Sequence, residues 1–188
     1  EDAMPDSVKA ILLVVGASAS AATMHNIVRY LTVEEGLHAF EVAFFRGFLG
    51  LIIFIPVIAR NGFGLFRTDM LPWHLGRGLV NAGAMLCMIT ALSLIPVGDV
   101  AAISLVGPVF VALLAIFFLG EKVGPRRWLG ISLAVAGAFV VVRPGFVAIN
   151  LGTVLVLMAV FLVSNSKVMA KMLSRHDSPT TIVAYVTL

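Results

Sequence analysis

Charge is scarce in this sequence. Only 12% of its 188 residues are Asp, Glu, Lys or Arg, where a soluble domain carries roughly 25%. With 60% of residues hydrophobic and a mean hydropathy of +1.06, this scarcity excludes water as the main solvent. Cysteine is nearly missing: Cys87 stands alone, so an internal disulfide is impossible, and among apolar neighbours it reads as small core filler. The four histidines are scattered, so no zinc-type ligand cluster is expected. A GxxxxGK[ST] phosphate loop is absent as well, which leaves no ATPase in the chain, and no cofactor is expected. The regular apolar/polar alternation of an outer-membrane barrel is also lacking.

What is present is apolar length. Crossing a hydrocarbon core of about 30 Å takes about 20 mostly apolar residues as a helix. The sequence offers such runs near 8–31, 39–60, 75–96, 99–120, 127–143 and 148–170, and a seventh begins around Pro179 and reaches Leu188. The first run has no clear cleavage site and is followed by equally apolar ones, so it reads as a span and not a signal peptide. Small residues at four-residue spacing, Gly16 and Ser20 in the first span and Gly130, Ala134 and Ala138 in the fifth, are expected to let helix backbones approach closely.

The net charge of +3 does not point to nucleic acid, because the basic residues form no patch and instead punctuate the apolar runs. If the N-terminus lies on one side, that side receives Lys9; Arg60, Arg67 and Arg77; Lys122, Arg126 and Arg127; and Lys167, Lys171 and Arg175. The other side receives Arg29 and Arg143, with Arg46 inside a span. This bias predicts a cytoplasmic N-terminus. In "GEKVGPRRWLG", Gly124 ends one helix, Pro125 suits the first turn of the next and Trp128 marks the interface. Trp73 beside Pro72 marks it at another hairpin.

The segment "ALSLIPVGDVAAISLVGPVFVALLAIFFLGEKVGPRRWLGISLAVAGAFVVVRPG", residues 91–145, closely resembles the end of the first repeat of EamA-type carriers of the drug/metabolite transporter superfamily. The shared features are the AL-x-x-IP turn, the mid-helix Pro108, the helix-ending Leu119-Gly120-Glu121, the Arg-Arg-Trp-Leu-Gly start and the closing Arg143-Pro144-Gly145. "FEVAFFRGFLGL" is similar to the family's second helix. The resemblance implies an all-α integral membrane bundle of two five-helix repeats, the second inverted. Residues 8–145 would be the first repeat and 148–188 the truncated start of the second, so the chain is expected to be part of a ten-span protein. Val28-Arg29-Tyr30-Leu31 can be laid over Ala170-Lys171-Met172-Leu173 as a faint trace of that repeat.

The implied function is secondary, non-ATP transport of a small organic metabolite across the bacterial inner membrane by alternating access. "GLHAFEVAFFRG" and "GDVAA" are similar to subgroups assigned to uptake of riboflavin or S-adenosylmethionine. An exporter of drugs or amino acids with the same fold is the alternative. The lipid bilayer, a small-molecule metabolite and a coupled proton are the expected partners.

Ionisable and polar groups inside spans are costly and mark cavities or partners. Ser18, His25 and Arg29 share one face of the first span; His25 is a candidate for substrate or for the coupled proton, the other reading being a helix–helix hydrogen bond. In the second span Glu41 is a cation or proton candidate and Arg46 an anion candidate, against an interfacial position for the one and snorkelling for the other. Asn81 shares a stripe with Arg77, Met85 and Met88, and Asn165 sits between Ser164 and Ser166 on the sixth span; both amides suit substrate or an interhelical bond. Pro108 removes its hydrogen bond to the Ser104 carbonyl and is expected to bend the fourth span over a cavity. Asp99, after Pro96 and Gly98, is expected to cap that span's start. Glu121 reads as a structural contact.

Enzyme readings fare worse. An intramembrane protease would need a base near Ser18, yet His25 lies about 10 Å along the same helix. Gly98-Asp99 is similar to an aspartyl-protease GxGD, but Pro96 occupies the first glycine position and no second buried aspartate is visible. Position 39, where a glutamate-dependent protease would need a partner for Glu34-Glu35, is alanine. A membrane scaffold would not need polar groups on several spans.

Overall fold

Every expected span becomes helix. α1 (Asp6–Val33), α2 (Ala39–Asn61), α3 (Leu71–Leu94), α4 (Val97–Ser104), α5 (Gly107–Leu119), α6 (Pro125–Val142), α7 (Leu151–Leu173) and α8 (Pro179–Thr187) follow one another. The computed structural model describes residues 6–62, 68–120, 124–142 and 150–187, and no strand occurs among them. Glu121, Lys122, Arg67 and the Arg143-Pro144-Gly145 end lie outside the described residues. Five segments are long and apolar enough to cross a bilayer: Val8–Val33, Ala39–Arg60, Leu71–Leu94, Val97–Leu119 and Leu151–Leu173. α6 adds a shorter apolar stretch, Trp128–Gly137.

Helix ends follow local chemistry. α3 starts at Leu71, four residues before the expected 75, with Pro72 in its first turn, where a missing N–H costs nothing. It stops at Leu94 because Ile95 precedes Pro96 and is forced into extended backbone, φ −132° and ψ 156°. α5 ends on Gly120 at φ 64°, a left-handed position that glycine takes without strain.

α3 and α7 are the central pair. An added Cβ on Gly76 would meet Met169 at 3.8 Å and one on Gly83 would meet Leu162 at 3.8 Å, so numbers rise on one helix as they fall on the other and the pair is antiparallel. At its far end a Cβ on Gly152 would stand 2.6 Å from Ile95 Cγ2 and 3.2 Å from Leu94 Cβ. Only glycine fits there. Ile89, Leu92, Val100, Ile103, Val156 and Val160 form the buried core, reached by Val28 of α1 and Val42 of α2. The small-residue pattern pointed elsewhere: nothing lies within 4 Å of a Cβ on Gly16 or Gly130. The pattern permits close approach but does not cause it, and the tight contacts fall on α7.

Arg29, expected at the membrane surface, instead reaches across from α1 to the end of α3. Its Nη1 donates to Leu92 O at 2.8 Å and to Ile95 O, satisfying carbonyls that a helix C-terminus leaves without partners. The cation also complements the negative end of the α3 dipole.

Candidate functional site

The fourth span is broken, where a bend was expected. Pro108 has no N–H to give the Ser104 carbonyl, and the chain answers with two tight i→i+3 bonds, Leu105 N to Ala102 O at 3.2 Å and Val106 N to Ile103 O at 3.1 Å. α4 stops at Ser104 and α5 begins at Gly107, with Pro108 in its first turn. Backbone groups so freed at membrane depth need protein or a wet cavity beside them. Both are present. Ser164 of α7, 2% exposed, bonds Val160 O at 2.7 Å and lies 3.3 Å from Gly107 O. Close contact is possible because Gly107 has no side chain; a Cβ there would sit 3.4 Å from Val160 Cγ1.

A cleft of about 620 Å³ opens beside the break. Met88 of α3, Ser104 and Pro108 of the break, Ile131 of α6, and Ser164 and Lys167 of α7 line it. Its walls are mainly apolar. Ser104 Oγ donates to Val100 O at 2.7 Å, so both serine hydroxyl protons are committed to their own helices and their oxygens remain available as acceptors. Lys167 is exposed and has no carboxylate partner among the described residues.

Of the seven residues singled out from sequence, Ser104 and Pro108 lie in this cleft. Arg46 lines a different cavity of about 870 Å³ between α1 and α2, with Thr23, Met24 and Leu49. His25 is half-buried and lines neither. Glu41 belongs to the start of α2: its Oε2 accepts from His38 N at 2.9 Å while Phe40 N donates to His38 Nδ1 at 3.3 Å, a capping box. Asn81 and Asn165 are half-buried, outside both cavities, and their side chains make no hydrogen bond among the described residues. Asp99 does not cap α4. Pro96 holds the N-cap position and Asp99 sits in the first turn, its backbone N–H donating to Pro96 O at 3.0 Å and its carboxylate making no hydrogen bond among the described residues; there its charge still complements the helix N-terminus.

Sequence reasoning missed two groups. Lys167 was counted among loop charges, although a cation six residues inside an apolar helix was a readable signal. The other is a polar knot between α3 and the α7–α8 turn. Asp177 Oδ2 accepts from Thr68 Oγ1 at 2.8 Å and from His74 Nε2 at 2.8 Å. His74, 1% exposed, stacks on Tyr185 with ring centroids 4.4 Å apart, and Arg77 Nη1 donates to Ile182 O at 3.0 Å. Because an ionised carboxylate only accepts, the geometry places a proton on His74 Nε2, while Nδ1 is buried and without a partner. Burial pushes the Asp177 carboxyl up, but the hydrogen bonds from His74 and Thr68, with the charges of His74 and His176, outweigh it and hold the carboxyl below its ordinary range.

Taken together, a helical bundle with five segments long and apolar enough to cross a bilayer, one of them broken over a cleft, has the architecture of a multi-span membrane protein. The EamA-like transporter family matches residues 8–143, and the chain belongs to that family, within the drug/metabolite transporter superfamily. It is 29% identical over 172 residues to a riboflavin transporter of Brucella anthropi, covering 92% of this chain and 61% of the relative. It is 34% identical over 108 residues to an S-adenosylmethionine uptake transporter of Rickettsia bellii, covering 57% of this chain and 37% of the relative. A pseudopaline exporter of Pseudomonas aeruginosa is 29% identical over 178 residues, with 93% and 61% covered. The chain thus spans about three-fifths of the length of the riboflavin transporter and of the exporter. No solved structure matches it. Family and relatives alike are transporters and not enzymes.

Proposed function

We propose that residues 8–145 form the first repeat, and 148–188 the opening of the second, of a secondary carrier that moves a small organic metabolite through the bacterial inner membrane. The observation that carries this reading is the break between Ser104 and Gly107 over a cleft lined by Met88, Ser104, Pro108, Ser164 and Lys167. Helices interrupted beside a mid-membrane site, contributed by both repeats, are how such carriers hold solute. The charge bias supports a cytoplasmic N-terminus.

The relatives include one named as a riboflavin transporter, one named for S-adenosylmethionine uptake and one named as an exporter; uptake of riboflavin or S-adenosylmethionine is the leading reading and export the second. Glu41 is committed to its cap, which leaves His25 as the proposed group for a coupled proton; it is half-buried in α1. The decisive experiment reconstitutes the full-length protein in liposomes and follows labelled riboflavin and S-adenosylmethionine in both directions. Solute flux supports the carrier; peptide cleavage, or neither activity, contradicts it. A pH dependence of flux unchanged in His25→Ala would remove the proton role.

A further inference from the structure

The cleft has one feature that a purely apolar solute would not use. Lys167 lines it six residues before the end of α7, about 9 Å inside the helix terminus at 1.5 Å per residue. Its side chain is exposed, and no carboxylate neutralises its ammonium among the described residues. The next residues along the cleft are different in kind. Ser164 lies one turn deeper, about 4.5 Å along the axis, and it and Ser104 present oxygens whose protons are already used. Met88, Pro108 and Ile131 supply the apolar wall, the thioether adapting to shape.

We propose that this cleft takes a compact organic anion, its carboxylate or phosphate paired with Lys167, a hydrogen-bond donor on Ser104 and Ser164, and its apolar body on Met88 and Pro108. The proposal rests on the carrier reading and narrows it to solutes with an anionic end. Lysine suits the role as a compact point charge on a flexible stem, which serves carboxylate and phosphate alike. A lipid headgroup offers the same phosphate chemistry, but the acceptor oxygens at the deep end match a donor-bearing solute, and the occupant is therefore a soluble metabolite.

The test uses the full-length protein and two pairs of probes that each differ in one anionic group: S-adenosylmethionine against its decarboxylated form, and riboflavin 5′-phosphate against riboflavin. Equilibrium binding is measured in phosphatidylcholine nanodiscs for the wild type, Lys167→Gln, Lys167→Arg and, as a neighbouring control, Lys171→Gln. In at least one pair the anionic member binds tenfold or more tightly than its twin; Lys167→Gln erases that preference, and Lys167→Arg and Lys171→Gln keep it. No preference in either pair, or one that survives Lys167→Gln, overturns the proposal. Loss of the preference on adding phosphatidylglycerol assigns Lys167 to a headgroup and overturns it too. Binding without flux in liposomes fails the carrier reading and leaves the anion site standing, so the two failures are distinct.

Discussion

At the scale of single residues, a few polar contacts fix what apolar packing leaves loose. Asp177 gathers Thr68 and His74 from the α3 side onto the turn after α7. Its carboxyl is held below the ordinary range in the fold, so its contribution to stability is present above the unfolded value, about pH 4, and is lost as pH falls through the lower folded value. Asp177→Asn should therefore unfold at lower temperature than wild type at neutral pH, with the gap closing under acid. Thermal melts of the purified protein across that range check this; a gap that widened with acid would contradict the pairing. Gly152 makes a packing prediction. Valine there meets Ile95 and Leu94, and overpacking of this kind costs about 1–3 kcal/mol, measurable as a lower melting midpoint, whereas alanine at Gly16, inside α1 with open space around it, leaves the midpoint no lower and raises it slightly through helix propensity.

At the scale of elements, the break between α4 and α5 decides the site. Pro108 and Ser104 were legible in the sequence because proline acts on its own turn: the lost N–H and the crowded carbonyl need no knowledge of distant chain. That the interruption would be complete was not legible, since it depends on Ser164 and Gly107 meeting across α5 and α7. Lys167 was legible as a cation inside an apolar run, but its place in the cleft was not. Counting bases by loop treats each as facing water, and only the packing of α7 beside the break turns that side chain into a cleft wall. Asp99 shows the limit from the other direction: Pro96 took the cap position, and a residue three places later cannot fill it. Pro108→Ala restores an N–H and allows α4 and α5 to join. The expected outcome is a protein at least as stable as wild type in melts with solute flux reduced tenfold or more; full flux would show that the break is dispensable.

At the scale of the whole molecule, the all-helical multi-span class was readable from composition and length, and the family from ordered motifs; of the six full spans expected, five are long and apolar enough to cross a bilayer and the fifth expected one appears as the shorter apolar stretch Trp128–Gly137. The proposed cytoplasmic N-terminus rests on the bias of basic residues and makes its own prediction. A reporter fused at Gly36, in the α1–α2 turn, should be active only as a periplasmic probe, and one at His176, in the α7–α8 turn, only as a cytoplasmic one; the reverse pattern would invert the bundle. The central claim, that solute passes through the cleft beside the break, is tested most directly by filling that cleft. Val163 lines it, while Val154 on the same helix is 45% exposed and lies outside it. In liposomes holding the full-length carrier, Val163→Trp should abolish flux of the transported solute and Val154→Trp should leave it near wild type. Equal flux through both variants would contradict passage by this route.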